Sequence, residues 1–346
     1  MKEGTKCGER RLLAGLLVDF ESTIIMTTSC CAECGGEEGG VISLKACKSC
    51  WLVKYCNAEC QRNHWPTHKK LCKLRAAELR DEALFKGPPA KEDCPICFLP
   101  LPAGLLSCMT LPPATITSVP IADFAEANKE LANIGMETYY SCCGKSICEG
   151  CVDSFHISHS DEKCPFCKAD LRGKTEVEQV EGLMKRVEVN DAGAMYVLGN
   201  SYYHRKLGLL QDRGKALELY TRAAALGSSM AHFHLGNIYH EGGDSKKEKF
   251  HYEAAAMAGH EDARYNLGCT EAQSGNVERA VKHWMISASA GHYAAMKTLI
   301  KVIEMGYVSR AAIDSTITAY NNSCAEMRSE ARDAAARLYI TSIGAR

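Results

Sequence analysis

The placement of cysteine constrains this chain more than any other feature. Eighteen of its 20 cysteines fall within residues 1–167, leaving only Cys269 and Cys324 in the second half of 346 residues. Five pairs in the first half are spaced Cys-x-x-Cys: Cys31/Cys34, Cys47/Cys50, Cys94/Cys97, Cys148/Cys151 and Cys164/Cys167, where that density gives about two by chance. Two thiolates so spaced on one tight turn can converge on a tetrahedral Zn²⁺ at ~2.3 Å. A redox Cys-x-x-Cys normally occurs once, at a helix start after a strand, so five in succession point to metal. Disulfides need an oxidising compartment. The apolar run 12–18 is short, is closed by Asp19 and Glu21, and lacks a convincing cleavage site. The expectation is therefore an intracellular protein, cytoplasmic and/or nuclear. No run approaches the ~20 apolar residues of a membrane span. A net charge of −1 supplies no global positive field, so neither a membrane nor a nucleic acid is expected as partner.

Residues 1–30 are expected to be flexible or a short helix. Residues 31–72 then read Cys31-x2-Cys34-x12-Cys47-x2-Cys50-x5-Cys56-x3-Cys60-x7-His68-x3-Cys72. Eight ligands suffice for two closed tetrahedral sites, with no open position for a catalytic water. The stretch 60–72 reads as helical, placing His68 and Cys72 at i,i+4 on one face where both can reach one ion. Spacing leaves the pairing open. The pattern resembles the MYND zinc finger in all eight ligand positions and in Gln61 and Trp65 between them. That resemblance implies Cys31, Cys34, Cys56 and Cys60 on one zinc and Cys47, Cys50, His68 and Cys72 on the other. It also implies that Gln61 and Trp65 help form a groove for proline-containing peptides, against the simpler reading that Trp65 packs the module. His64 reads as a surface residue or a support for the ligands. Lys69, Lys70, Lys73 and Arg75 read as a solvated helix end.

Residues 73–93 read as a helix rich in strong helix formers and a linker at Gly87-Pro88-Pro89. The segment 94–170 carries Cys94-Pro-Ile-Cys97, Cys142-Cys143-Gly-Lys-Ser-Ile-Cys148-Glu-Gly-Cys151 and Cys164-Pro-Phe-Cys167, with a long insertion at 98–141. It resembles a RING finger, implying Cys94, Cys97, Cys148 and Cys151 on one zinc and Cys142, Cys143, Cys164 and Cys167 on the next. The usual histidine position is Lys145, a cation and a poor ligand. Cys142 is the expected supplier of the fourth donor, with His156 or His159 as the alternative. A short helix is expected at 123–133. RING ligases work by positioning, and Ile96, Pro165 and Lys168 occupy the places that would meet a ubiquitin-conjugating enzyme. Where many active RING fingers carry arginine, Lys168 offers a point charge without a bidentate fork. The alternative is that Ile96, Phe98 and Phe166 simply fill a small core. The pattern leaves out Cys7, Cys30, Cys108, Cys269 and Cys324, expected as ordinary thiols.

From about 192 a repeat appears. The segments 194–202, 231–239 and 263–271 align without gaps, their glycines Gly199, Gly236 and Gly268 spaced 37 and 32 residues. Gly227, Gly259 and Gly291, spaced 32 and 32, suit left-handed helix caps. These helix-turn-helix units resemble Sel1-like repeats, relatives of the tetratricopeptide class, 211–227 being nearly consensus. Repeats are expected over 192–309, with capping helices at 310–346. Tyr202, Tyr203 and Tyr239 read as packing residues, and His204 and His240 have no metal-ligand spacing.

The fold class expected is multidomain: two small zinc-stabilised modules, then an all-α helical-repeat solenoid. Four zinc ions are expected, or three if the Cys142/Cys143 site is degenerate. No P-loop, Rossmann glycine pattern or GxSxG is present, and no stretch matches the methyltransferase domain found with some MYND fingers. The module order resembles a set of proteins from single-celled algae. The function expected is a modular adaptor whose finger and repeats recruit other proteins; the alternative is a RING-type E3 ubiquitin ligase acting through 94–167.

Overall fold

The computed structural model describes residues 30–38, 43–87, 89, 91–101, 137–158, 163–327, 329–332 and 334. The expectations for 1–29, the helix at 123–133, Cys7, Cys108, His159 and the chain from 335 onward lie outside the described residues, as does the side chain of His156. The chain divides into two compact units, Met1–Leu84 and Phe85–Arg346.

In the first unit, a two-stranded antiparallel ribbon pairs β1 (Lys45–Ala46) with β2 (Lys54–Tyr55). It precedes α1 (Ala58–Leu84), one 27-residue helix that runs through Pro66. This helix spans both the stretch 60–72 and the helix expected after residue 73. Glu59 sits in the first turn, where the helix dipole favours an anion. The buried cluster is Cys31, Leu44, Cys47, Cys50, Tyr55 and Cys72. Four of those six are cysteines, so little apolar surface holds this unit together.

The second unit opens with a zinc module. β3 (Glu137–Tyr140) and β4 (Lys145–Cys148) form an antiparallel hairpin, and α2 (Glu149–Ser158) leaves directly from β4. The hairpin turn needs Gly144 at φ 74°, a conformation that suits glycine. Then come α3 (Glu176–Glu188) and three consecutive helix pairs, α4 (Ala192–His204) with α5 (Arg213–Ala225), α6 (Ser229–Glu241) with α7 (Ser245–Met257) and α8 (Glu261–Gln273) with α9 (Val277–Ser289), followed by α10 (Tyr293–Glu304) and α11 (Arg310–Met327), both of which pack on α9. Thr175 and Glu178 close a capping box at the start of α3.

The repeat has a physical origin at each phase. Gly199, Gly236 and Gly268 each face an aromatic ring of the paired helix: Tyr220, Tyr252 and Trp284. A Cβ at any of the three would crowd that ring, so the small residue sets the close approach of each pair. Gly227, Gly259 and Gly291 are left-handed, at φ 90°, 94° and 95°. Each ends its helix in a Schellman turn, in which the next residue bonds back five positions: Ser228 to Ala223, His260 to Ala255 and His292 to Ser287. Those same three residues then cap the following helix with their side chains. The loop between α4 and α5 is residues 205–212, whereas α6–α7 and α8–α9 are joined by 242–244 and 274–276. Those five extra residues account for the first glycine spacing of 37 against 32.

The zinc module and the helices share one unit, although composition changes sharply near 168. Tyr139 of β3 donates to Asp191 at 2.8 Å, and Arg186 pairs with the same carboxylate at 2.7 Å. Lys91 reaches Glu261 of α8 at 2.7 Å and the Ala290 carbonyl at 3.3 Å. No helix among the described residues is long and apolar enough to cross a membrane.

Candidate functional site

Four Cys-x-x-Cys turns are built alike. In each, the N–H of the residue after the second cysteine bonds the carbonyl of the first: Gly35 to Cys31 at 2.9 Å, Trp51 to Cys47 at 2.9 Å, Phe98 to Cys94 at 2.8 Å and Lys168 to Cys164 at 3.1 Å. All four of those residues have positive φ, 74°, 58°, 55° and 59°. Only the first is glycine. An L-residue there is strained, and the turn is held nonetheless.

This turn points backbone N–H groups at the first sulfur. Burial opposes ionisation of Cys31, but N–H donors from Cys34, Cys56 and Glu33 outweigh it and bring the thiol down to about 6. Cys94 is likewise desolvated, yet donors from Cys148, Cys97 and Ile96 bring it to about 7. Cys164 reaches about 7 against its burial through Cys167 and Phe166. Cys47 is also lowered, with Ser49 and Cys50 donating against desolvation. Other thiols of the tetrads move the other way. Burial first, then the neighbouring sulfurs, pushes Cys72 to about 12 and raises Cys142 and Cys151. Hydrogen bonding to Cys56 leads the rise of Cys60 to about 12. Four thiols this close cannot all ionise alone, because each charge disfavours the next. A divalent cation removes that conflict.

The structure gathers the predicted donors into four groups: Cys31, Cys34, Cys56 and Cys60; Cys47, Cys50, His68 and Cys72; Cys94, Cys97, Cys148 and Cys151; and Cys142, Cys143, Cys164 and Cys167. Within each group the donor atoms lie within 4.8 Å of one another. Sulfurs stand 3.7 Å apart at Cys34–Cys56, Cys47–Cys72 and Cys143–Cys164, and 3.8 Å at Cys94–Cys151 and Cys97–Cys148. A tetrahedron with ~2.3 Å zinc–sulfur bonds has edges of about 3.8 Å. His68 Nε2 lies 3.3 Å from Cys50 Sγ. The donor types, number and spacing thus fit Zn²⁺, a tetrahedral and thiophilic ion.

Around the first two tetrads, His64 accepts or donates to the Tyr55 hydroxyl at 2.9 Å and stacks on His68 with ring centres 5.5 Å apart. It supports a ligand without joining the set, as one of its two sequence readings had it. Gln61 and Trp65 both stay exposed on α1, one turn apart, Trp65 at 39%. In the second module, Cys142 joins Cys143 on the hairpin turn, while Lys145 turns away and lies 4.7 Å over the Phe166 ring. Ile96 is 38% and Phe98 76% exposed. Phe98 therefore does not fill the core, whereas Phe166 packs against it. Lys168 donates to the Pro165 carbonyl of its own turn at 3.1 Å. Cys30 is buried and outside all four tetrads.

Sequence reasoning missed His260 and His292 as helix caps. Their imidazoles accept from Ala263 and Ala295, at 3.5 and 3.1 Å. The signal was available in the 32-residue spacing of Ser228, His260 and His292. Tyr202 packs in the core, while Tyr203 and His240 bond Glu241 and Glu248.

The MYND finger family model matches residues 31–72. Among solved structures, the chain is similar to a protective antigen of uropathogenic Escherichia coli strains that displays an SLR fold, at 23% identity over 49% of this chain and 41% of that one, TM-score 0.37. It is similar to a Sel1 repeat protein from Oxalobacter formigenes at 23% identity over 44% and 64%, TM-score 0.37. A third likeness is to an immunity protein from Pseudomonas aeruginosa, at 19% identity over 50% and 75%, TM-score 0.25. The chain thus spans less than two thirds of the first two. Its own repeated helix pairs, and not these likenesses, carry the solenoid reading. Residues 31–72 are a MYND-type finger; the other described residues form a zinc-compatible module followed by stacked helices.

Proposed function

We propose that this protein is a zinc-organised adaptor that makes contacts with other proteins through its finger (31–72) and its helical repeats (192–309). Each of the four tetrads holds one Zn²⁺ in a structural role, since four protein donors leave no position for a reacting water. The observation that carries the reading is the exposed Gln61–Trp65 pair on the helix that closes the two tetrads of the finger. A large aromatic side chain left at a surface is the kind of residue that anchors protein contacts. The ligand we assign to it is a short proline-containing peptide, whose extended backbone is already ordered before binding. A proline-containing peptide library titrated against the full zinc-loaded chain tests this. Trp65→Ala should weaken the best binder at least about tenfold with zinc content unchanged. Unchanged binding, or a library with no binder, contradicts it.

A second reading rests on the exposed Ile96 and Phe98 beside Cys97. An apolar knuckle next to Pro165 and Lys168 suits the docking of a ubiquitin-conjugating enzyme, which would make the chain a ligase that acts by positioning. Incubation with E1, ubiquitin, ATP and a panel of conjugating enzymes decides this reading. Self-modification that Ile96→Ala abolishes, at constant zinc, supports the ligase. A zinc-replete chain inactive with the whole panel leaves the adaptor alone.

A further inference from the structure

The third tetrad, Cys94, Cys97, Cys148 and Cys151, is touched by a residue far along the chain. Arg332, beyond the end of α11, is 1% exposed. Its Nη1 donates to the Pro100 carbonyl at 2.9 Å and to the Met327 carbonyl at 3.0 Å. Its Nη2 donates to the Leu99 carbonyl at 3.2 Å and to Cys97 Sγ at 3.5 Å. One buried cation thus meets a sulfur of the tetrad and fastens the loop that follows it.

The backbone is built for this approach. A Cβ on Gly150 would lie 2.7 Å from the Arg332 nitrogen and 2.8 Å from its Cα. Gly150 sits in the Cys148-Glu-Gly-Cys151 knuckle itself, so the knuckle leaves room for the C-terminal segment at the one residue where a side chain would block it.

Charge gives the contact its reason. Four thiolates around one Zn²⁺ leave a net charge of minus two. Three members of this tetrad are buried and Cys97 is half-buried. An uncompensated buried charge is costly, and arginine is the cation that suits burial, being weakly hydrated and always protonated. We propose that Arg332 is an outer-sphere component of this metal site, lowering its net charge, and that the site closes only when the segment following the last repeat helix docks onto it. The inference rests on the reading of the third tetrad as a zinc site. By linkage the dependence runs both ways: the metal steadies the end of the solenoid, and the docked end steadies the metal.

The test uses the full zinc-loaded chain, with metal counted by native mass spectrometry during a chelator chase. Arg332→Met should release one zinc at least about tenfold faster than wild type, with the others unchanged, and Arg332→Lys should fall between. In cobalt-loaded protein, Arg332→Met should move the thiolate-to-cobalt charge-transfer band to longer wavelength, because an N–H···S bond is lost; a mere anchor of the segment would leave that band in place. Release of all the metal within twofold of wild type, with an unshifted band, overturns the proposal. If Arg332→Met loses solenoid helicity, Gly150→Ala decides in its place: it should speed release of the same single zinc, and unchanged release overturns the proposal. Cys97→Ser separates this failure from failure of the tetrad reading. A wild-type metal count unaltered by Cys97→Ser removes the tetrad, whereas a count lowered by one, together with an inert Arg332→Met, removes only the role of Arg332.

Discussion

The finger and the solenoid solve one problem with different physics. In the finger, four of the six buried cluster residues are cysteines, and the module spans 31–72, a length at which an apolar core alone is marginal. In the solenoid, the last buried cluster has 13 members, Ala280 through Met327, of which only Cys324 is a cysteine. It is built from rings, aliphatic chains and small residues that interlock. Cysteine in the first region is a ligand; in the second it is a small apolar filler. Where the core is metal, one donor atom carries a large share of the stability; where it is packing, the load is spread.

The contrast can be broken most sharply by removing sulfur from each region. Cys47→Ser should cost the finger one zinc and its fold, since a structural zinc supplies about 10–16 kcal/mol of folding free energy; Cys269→Ser should leave the metal count unchanged and lower the melting temperature of the array only slightly. Mass spectrometry with circular dichroism reads both. Trp284→Ala attacks the solenoid where it is most concentrated, emptying the space against Gly268. About 3–5 kcal/mol should be lost, seen in denaturant unfolding of the helices with zinc content intact.

Acid should separate the regions in the same sense. The lead thiols of the knuckles are depressed from the ordinary value of 9.0 to about 6 at Cys31 and about 7 at Cys94 and Cys164. A depressed acid contributes stability fully above its unfolded value and loses it as pH falls through the folded one. Zinc affinity should therefore weaken as pH drops through 7 and then 6, while array helicity, measured in parallel, is lost only at lower pH. There His234, His251 and His283, which burial holds to about 3, 4 and 3, must take up protons. The smallest effect is local. Asp244 caps α7 by accepting from Lys247 at 3.1 Å, so Asp244→Ala should cost about 1 kcal/mol, read as a modest shift in melting temperature.

What could be read from sequence follows from how local each feature is. A Cys-x-x-Cys knuckle is closed by its own backbone, so spacing alone located it. The pairing of Cys31 and Cys34 with Cys56 and Cys60 is not local, and came from family resemblance. The repeat was legible because its glycines recur at 32 residues, but their partners, Tyr220, Tyr252 and Trp284, recur at the same period and were overlooked. His260 and His292 were hidden by residue type, since histidine seldom caps a helix. Arg332 lies 235 residues from Cys97, and no local pattern marks a contact at that separation. Composition says nothing of the contacts across its own step: cysteine stops near 168, yet hydrogen bonds from Tyr139 and Arg332 tie the zinc module to both ends of the helices.

Hydrogen–deuterium exchange on the intact chain, before and after chelation, tests the central claim most directly. Metal should hold 31–72 and the described part of 94–170, and packing should hold the helix pairs. Chelation is then predicted to abolish protection in both zinc modules, to loosen the end of α11, and to leave α4 through α9 protected. Equal loss across the chain, or protection in 31–72 that survives complete removal of zinc, would contradict it.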